Sequence, residues 1–155
     1  MAPLPLRRHI ALRRHMTMLV ASLAVLWSSA RAGEVDADLD ARIDSILQRP
    51  EPQRCLPLGG YESVEILERR HLLFHGLSKE LLWLNRLGSG CAELKPGMTL
   101  EFDTQGDQVC AGDTVQGIER RFHFWEDMTA SCALGEFEPV TEGQAQAVKE
   151  AIGGS

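Results

Sequence analysis

The side chains best equipped for chemistry in this sequence are Cys55, Cys91, Cys110 and Cys132. Thiols can bind a metal, attack a carbonyl or pair as disulfides, and their spacing helps to separate these roles. Zinc sites usually draw two ligands from one short C-x-x-C or H-x-x-x-H stretch. Here the closest two cysteines, Cys91 and Cys110, are 19 positions apart. A catalytic cysteine needs a free thiol and a histidine base. Cys110-Ala111-Gly112-Asp113 offers only a carboxylate, and Asp113 reads as a turn residue bonding its own backbone. An even number of widely spaced cysteines reads instead as two disulfides. Four cysteines allow three pairings. The expected one is sequential, Cys55 with Cys91 and Cys110 with Cys132, because it joins neighbours without crossing the chain.

Other candidates are weaker. His71 and His75 are four apart, a metal-binding spacing on a helix. His-Leu-Leu-Phe-His reads as a strand, however, where that spacing is about 13 Å and no ion is shared. Asn85 and Arg86, between Trp83 and Leu87, could form a polar site beside an aromatic ring. Arg120-Arg121-Phe122-His123-Phe124-Trp125 concentrates positive charge and aromatic rings in an acidic chain. Strand alternation sends Phe122 and Phe124 to one face, leaving Arg121, His123 and Trp125 to meet a partner through cation–π or stacking contacts. Asn85, Arg86, Arg121, His123 and Trp125 are therefore the candidate partner-binding residues. No G-x-S-x-G, glycine-rich phosphate loop or H-E-x-x-H occurs, so no catalytic, metal or cofactor site is assigned.

Several elements must position these residues. Val35, Leu39, Ile43 and Ile46/Leu47 recur at steps of three and four, predicting an amphipathic helix over 34–48 that Pro50 and Pro52 end. Val64 and Ile66, then Leu72 and Phe74, alternate as strands around a break at Glu68-Arg69-Arg70, and 81–87 is another short apolar segment. Met98, Leu100 and Phe102 alternate before Gln105-Gly106-Asp107, which predicts a hairpin returning through Val109-Cys110. Further strands are expected over 115–120, 122–125 and 132–137, followed by a closing helix capped by Thr141. Strands in series between terminal helices predict an α+β fold, with a small antiparallel sheet curled toward a partial barrel. The absence of β–α–β alternation argues against a nucleotide-binding fold.

Residues 1–32 contain five arginines and no acidic residue. Four arginines precede the apolar run Met16–Trp27, and Ala30-Arg31-Ala32 follows, which is the pattern of a signal peptide cleaved after Ala32. Twelve residues form a helix of about 18 Å, too short for a hydrocarbon core of roughly 30 Å, so no transmembrane anchor is expected in the mature chain. The division is then 1–32 signal peptide, 33–54 helix and linker, and 55–155 a disulfide-stapled β-rich domain. Removing the signal leaves 11 basic against 22 acidic residues, a formal charge of −11 in place of −6. Such a surface repels phosphate backbones, and nucleic acid is an unexpected partner.

The cysteines also sit in an ordered set of motifs. These are Cys55-Leu56-Pro57-Leu58, Ile66-Leu67-Glu68 with His71-Leu72-Leu73-Phe74, and Trp83-Leu84-Asn85-Arg86-Leu87. Cys91-Ala92-Glu93-Leu94, 109–115 and 132–140 complete the set. Over roughly Cys55–Ala147 the chain resembles a family of bacterial exported proteins and lipoproteins catalogued only as a domain of unknown function. Members often carry a lipidated cysteine after the signal; here that position is Gly33, and tethering is not carried over. The resemblance implies fold and compartment, not activity. The expectation is a periplasmic or secreted, non-enzymatic binding or accessory module whose partner is an envelope protein or small ligand. The alternative is a small periplasmic hydrolase or other enzyme with its site on the sheet face.

Overall fold

A computed structural model of the chain describes residues 37–47, 51–88, 91, 93–121 and 125–153. The predicted signal peptide and its predicted cleavage site lie outside these residues. Contacts divide the chain into Met1–Ala41 and Arg42–Ser155. In the first unit, residues 37–41 are helical. They begin helix α1, which covers 37–46 of the predicted 34–48.

The second unit is a mixed α+β structure. Its strands are β1 (Cys55–Pro57), β2 (Tyr61–Glu68), β3 (His71–Gly76), β4 (Leu82–Arg86), β5 (Thr99–Asp103), β6 (Gln108–Cys110), β7 (Thr114–Arg121), β8 (Trp125–Met128), β9 (Cys132–Ala133) and β10 (Phe137–Val140), followed by helix α2 (Glu142–Gly153). One four-stranded sheet has the order β10-β4-β3-β2, another has β5-β7-β8 with β9 beside β7, and β1-β6 is a two-stranded ribbon. All pairings are antiparallel.

The predicted curl toward a barrel is not found. The sheets stay separate and open because the chain leaves one for another instead of adding strands in series. The expected Leu100–Cys110 hairpin fails for the same reason. Its turn is present, with Gly106 at φ 94°, but β5 pairs with β7 while β6 pairs with β1. The single strand expected over 132–137 is likewise two strands in different sheets, β9 on β7 and β10 on β4.

The sequential cysteine pairing is also overturned: Cys55 is bonded to Cys110 and Cys91 to Cys132. Cys55 and Cys110 are direct partners in the β1–β6 register. The Ala111 N–H donates to the Arg54 carbonyl, so Cys55/Cys110 is the adjacent non-hydrogen-bonded pair, in which side chains approach most closely. Sequence neighbourhood was the wrong guide because strand register, not chain order, sets which cysteines meet.

Register also sorts the side chains of the β3 sheet. Val64, Ile66, Leu72, Phe74, Trp83 and Phe137 share one face. All but Val64, which packs against it, belong to the main core with Leu56, Val109, Val115, Leu94 and the buried Cys91 and Cys132. Phe74 is its centre, with ring centroids 5.2 Å from Tyr61, 5.1 Å from Phe137 and 6.0 Å from Phe102 of the other sheet. The opposite face carries Leu73, Leu84 and Val140, all buried. Helix α2 contacts β2 and β4 and buries Ala145, Val148 and Ala151. The second unit is therefore layered helix, sheet, sheet. Among the described residues, no helix is long and apolar enough to cross a membrane.

Candidate functional site

Asn85 sits in the middle of this arrangement and is fully buried. Its Nδ2 donates to the carbonyls of Gly135 (2.8 Å) and Glu136 (3.4 Å), and its Oδ1 accepts the Gly135 N–H at 3.0 Å. Gly135 lies where the chain passes from β9 to β10, and a Cβ there would collide with the Arg86 carbonyl oxygen. A buried amide that satisfies three backbone groups is a structural clip. It has no surface to offer a ligand.

Arg86 on the neighbouring position points to the helix-covered face. Its Nη2 lies 2.6 Å from Asp44 Oδ1 on α1, and its guanidinium meets Glu138 on β10 through Nε–Oε1 (3.0 Å) and Nη2–Oε2 (3.2 Å). The guanidinium thus joins α1, β4 and β10. Burial pushes the Glu138 carboxyl above its ordinary value. Arg86 opposes that shift, and Asp44 and Glu136 add to it by repulsion.

A second charged cluster lies further along the same face. Glu65 Oε2 accepts from Lys149 Nζ of α2 at 2.7 Å and lies 3.2 Å from His75 Nε2. Burial raises the Glu65 carboxyl, but the hydrogen bonds and charges of Lys149 and His75 outweigh it and hold the group below its ordinary value. His71 and His75 both lie on β3, as the strand reading required. Among the described residues, no three His, Cys, Asp or Glu side chains are placed to hold a metal ion. Asp113 closes the expected turn: its Oδ2 accepts the Cys110 N–H at 2.7 Å, with Gly112 at φ 95°.

Of the basic–aromatic run, Phe122–Phe124 lies outside the described residues, as do the side chains of Arg121, His123 and Trp125. The backbone pairs Arg121 with Trp125 as β7 turns into β8. Trp125 therefore begins a strand that continues to Met128, rather than ending one. Asn85 and Arg86 are committed to the crossover and to the α1 ion pair.

The concave feature that sequence reasoning missed is a groove of about 560 Å³ at the β10 edge. Ile46, Leu81, Leu82, Trp83, Pro139 and Val140 give it apolar walls, while Gln53, Thr141 and Gln144 supply polar groups and Glu80 a charge. Gln53 borders it because its N–H donates to Phe137 O (2.8 Å) and its carbonyl accepts the Phe137 N–H (2.9 Å). Two residues on, Pro139 has no N–H to present at this edge. Thr141 and Gln144 are held by a capping box at the start of α2, and Gln144 Nε2 reaches the Ile46 carbonyl. Trp83 was the one legible signal, an aromatic set between apolar residues and a polar pair. Comparison with protein-family models, curated proteins and solved structures found no match for the chain.

Proposed function

We propose that this protein is exported and acts in the cell envelope as a non-enzymatic binding or accessory module, with the groove beside Trp83 as its ligand site. The observation that carries this reading is the lining of that groove: six apolar side chains with three uncharged polar groups at the start of α2 and on Gln53. Mostly apolar walls with a few placed polar groups suit a small, predominantly apolar ligand with one hydrogen-bonding end. The charged clusters of the sheet serve other ends, since Arg86 and Lys149 fasten the helices through Asp44 and Glu65. Glu80 is the one titratable side chain among the groove residues. Export is supported by the two disulfides, by the basic–apolar amino-terminal pattern and by the motif resemblance to exported proteins.

The test has two arms. In a bacterial host, the exported chain should begin at Gly33 and contain no free thiol; retention of 1–32 would refute export. In a Trp125→Phe variant of the mature protein, Trp83 is the sole tryptophan. Small-molecule fractions of an envelope extract should change its emission saturably, and Leu81→Asp should abolish the change. Turnover of chromogenic ester, phosphate or peptide substrates that is lost in Glu80→Gln would establish the hydrolase alternative instead.

A further inference from the structure

The sheets end in open edges, and these are not equally protected. Strand β2 carries register irregularities between Tyr61 and Ser63 and between Ile66 and Glu68. Strand β10 is covered at Phe137 by Gln53 and has Pro139 next along the same edge. Bulges and prolines are common guards against further strand pairing. Strand β5 (Thr-Leu-Glu-Phe-Asp) has neither, and pairs with β7 in unbroken register from Thr99/Ile118 to Asp103/Thr114.

Which β5 backbone groups face outward follows from Gly117. Its N–H donates to Thr129 Oγ1 and its carbonyl accepts the Thr129 N–H, each at 2.9 Å. Both groups therefore point away from β5. Leu100, its partner, is in a non-hydrogen-bonded pair, and so is Phe102 opposite Val115 two residues on. The N–H and C=O of Leu100 and Phe102 consequently face the free edge, and no hydrogen bond reaches them among the described residues. Their side chains are half-buried against the core. On the other face Thr99, Glu101 and Asp103 are exposed. The registered neighbours of the two carboxylates, Gln116 and Thr114, are neutral.

We propose that the β5 edge binds an extended strand of alternating apolar and basic residues by antiparallel β-addition. Leu100 and Phe102 exchange main-chain hydrogen bonds with the strand, whose apolar side chains extend the core face. Its lysines or arginines lie opposite Glu101 and Asp103. A second copy of this chain is disfavoured at the same edge. Antiparallel pairing of two β5 strands about Glu101 sets the two Glu101 carboxylates against each other, and like charges directly opposite are destabilising. The acidic net charge of −6 attracts a basic strand to the surface.

The experiment uses the oxidised mature protein with an acetylated, amidated Lys-Val-Lys-Val-Lys-Val peptide, its Glu-Val counterpart, and a Lys-Val peptide N-methylated on alternate residues. The basic peptide should bind and slow exchange of the Leu100 and Phe102 amide protons at least tenfold. The N-methylated peptide should not protect them. A Glu101→Lys, Asp103→Lys variant alters exposed positions only; it should bind the basic peptide at least tenfold more weakly and prefer the acidic one. Three results would overturn the proposal: binding without amide protection, unchanged preference in the charge-reversed variant, or protection of the same amides by self-association without peptide.

Discussion

Asn85 and Gly135 are joined by reciprocal hydrogen bonds, Nδ2 to the glycine carbonyl at 2.8 Å and the glycine N–H to Oδ1 at 3.0 Å, across 50 residues of sequence. The pair holds the crossover between the two large sheets. Removing the amide strands a Gly135 N–H and two carbonyls beside a fully buried site. Leaving a buried polar group unsatisfied costs about 1–3 kcal/mol. Asn85→Ala should therefore lower unfolding free energy by about that amount in urea titration. Asn85→Asp should cost more, because it turns a carboxylate oxygen toward those carbonyls. Unchanged stability in both would show that the clip is dispensable.

Helix α2 begins with a capping box: Gln144 N–H donates to Thr141 Oγ1 at 3.2 Å, and Thr141 N–H to Gln144 Oε1 at 2.9 Å. Thr141→Ala should cost about 1 kcal/mol, and Thr141→Ser should restore most of it. Thermal unfolding of the two variants checks both the direction and the rescue.

These two contacts also mark what could be read from the sequence. Thr141 was visible as a cap because capping is local, a matter of residues three apart. Most strands were visible for the same reason: Leu72 and Phe74, or Leu100 and Phe102, alternate whatever they pair with. Pairing itself is long-range. Nothing near Cys110 reveals that its strand lies on β1, and nothing near Phe102 reveals that β5 skips β6 to meet β7. The role of Asn85 depended on a glycine 50 positions away, so it read as a site residue. The Trp83 groove is assembled from four separate stretches and had no sequence signature beyond the tryptophan.

Glu65 and Glu138 should move stability in opposite directions with pH. Glu65 is held below its ordinary value, so its contribution is present above the ordinary glutamate range and is lost as pH falls through the lowered folded value. Glu138 is held above its ordinary value. Its contribution is complete below that range and is lost as pH rises through the raised folded value. Against wild type, Glu65→Gln should be least harmful at the acid end. Glu138→Gln should become relatively more stable as pH rises through and above the ordinary glutamate range. Both groups are partly solvated, so the changes are read as slopes of unfolding free energy against pH. Parallel slopes for the two variants would contradict the assignment.

The two disulfides should differ in accessibility more than in the stability they confer. They span 55 and 41 residues, for which loop entropy gives about 4 kcal/mol each on the chain-entropy model. Cys91 and Cys132 are each 2 % exposed and lie in the main core, whereas Cys55 and Cys110 are partly exposed at the ends of β1 and β6. Thiol–disulfide exchange needs access of the attacking thiolate to a sulfur. Limited treatment with dithiothreitol, followed by alkylation and peptide mapping, should label Cys55 and Cys110 while the Cys91–Cys132 peptide stays joined. Cys110→Ser should expose one titratable thiol, Cys55, and leave the core bridge intact. A native peptide linking Cys55 to Cys91 would contradict the β1–β6 register, and first reduction at Cys132 would contradict the burial from which this order follows.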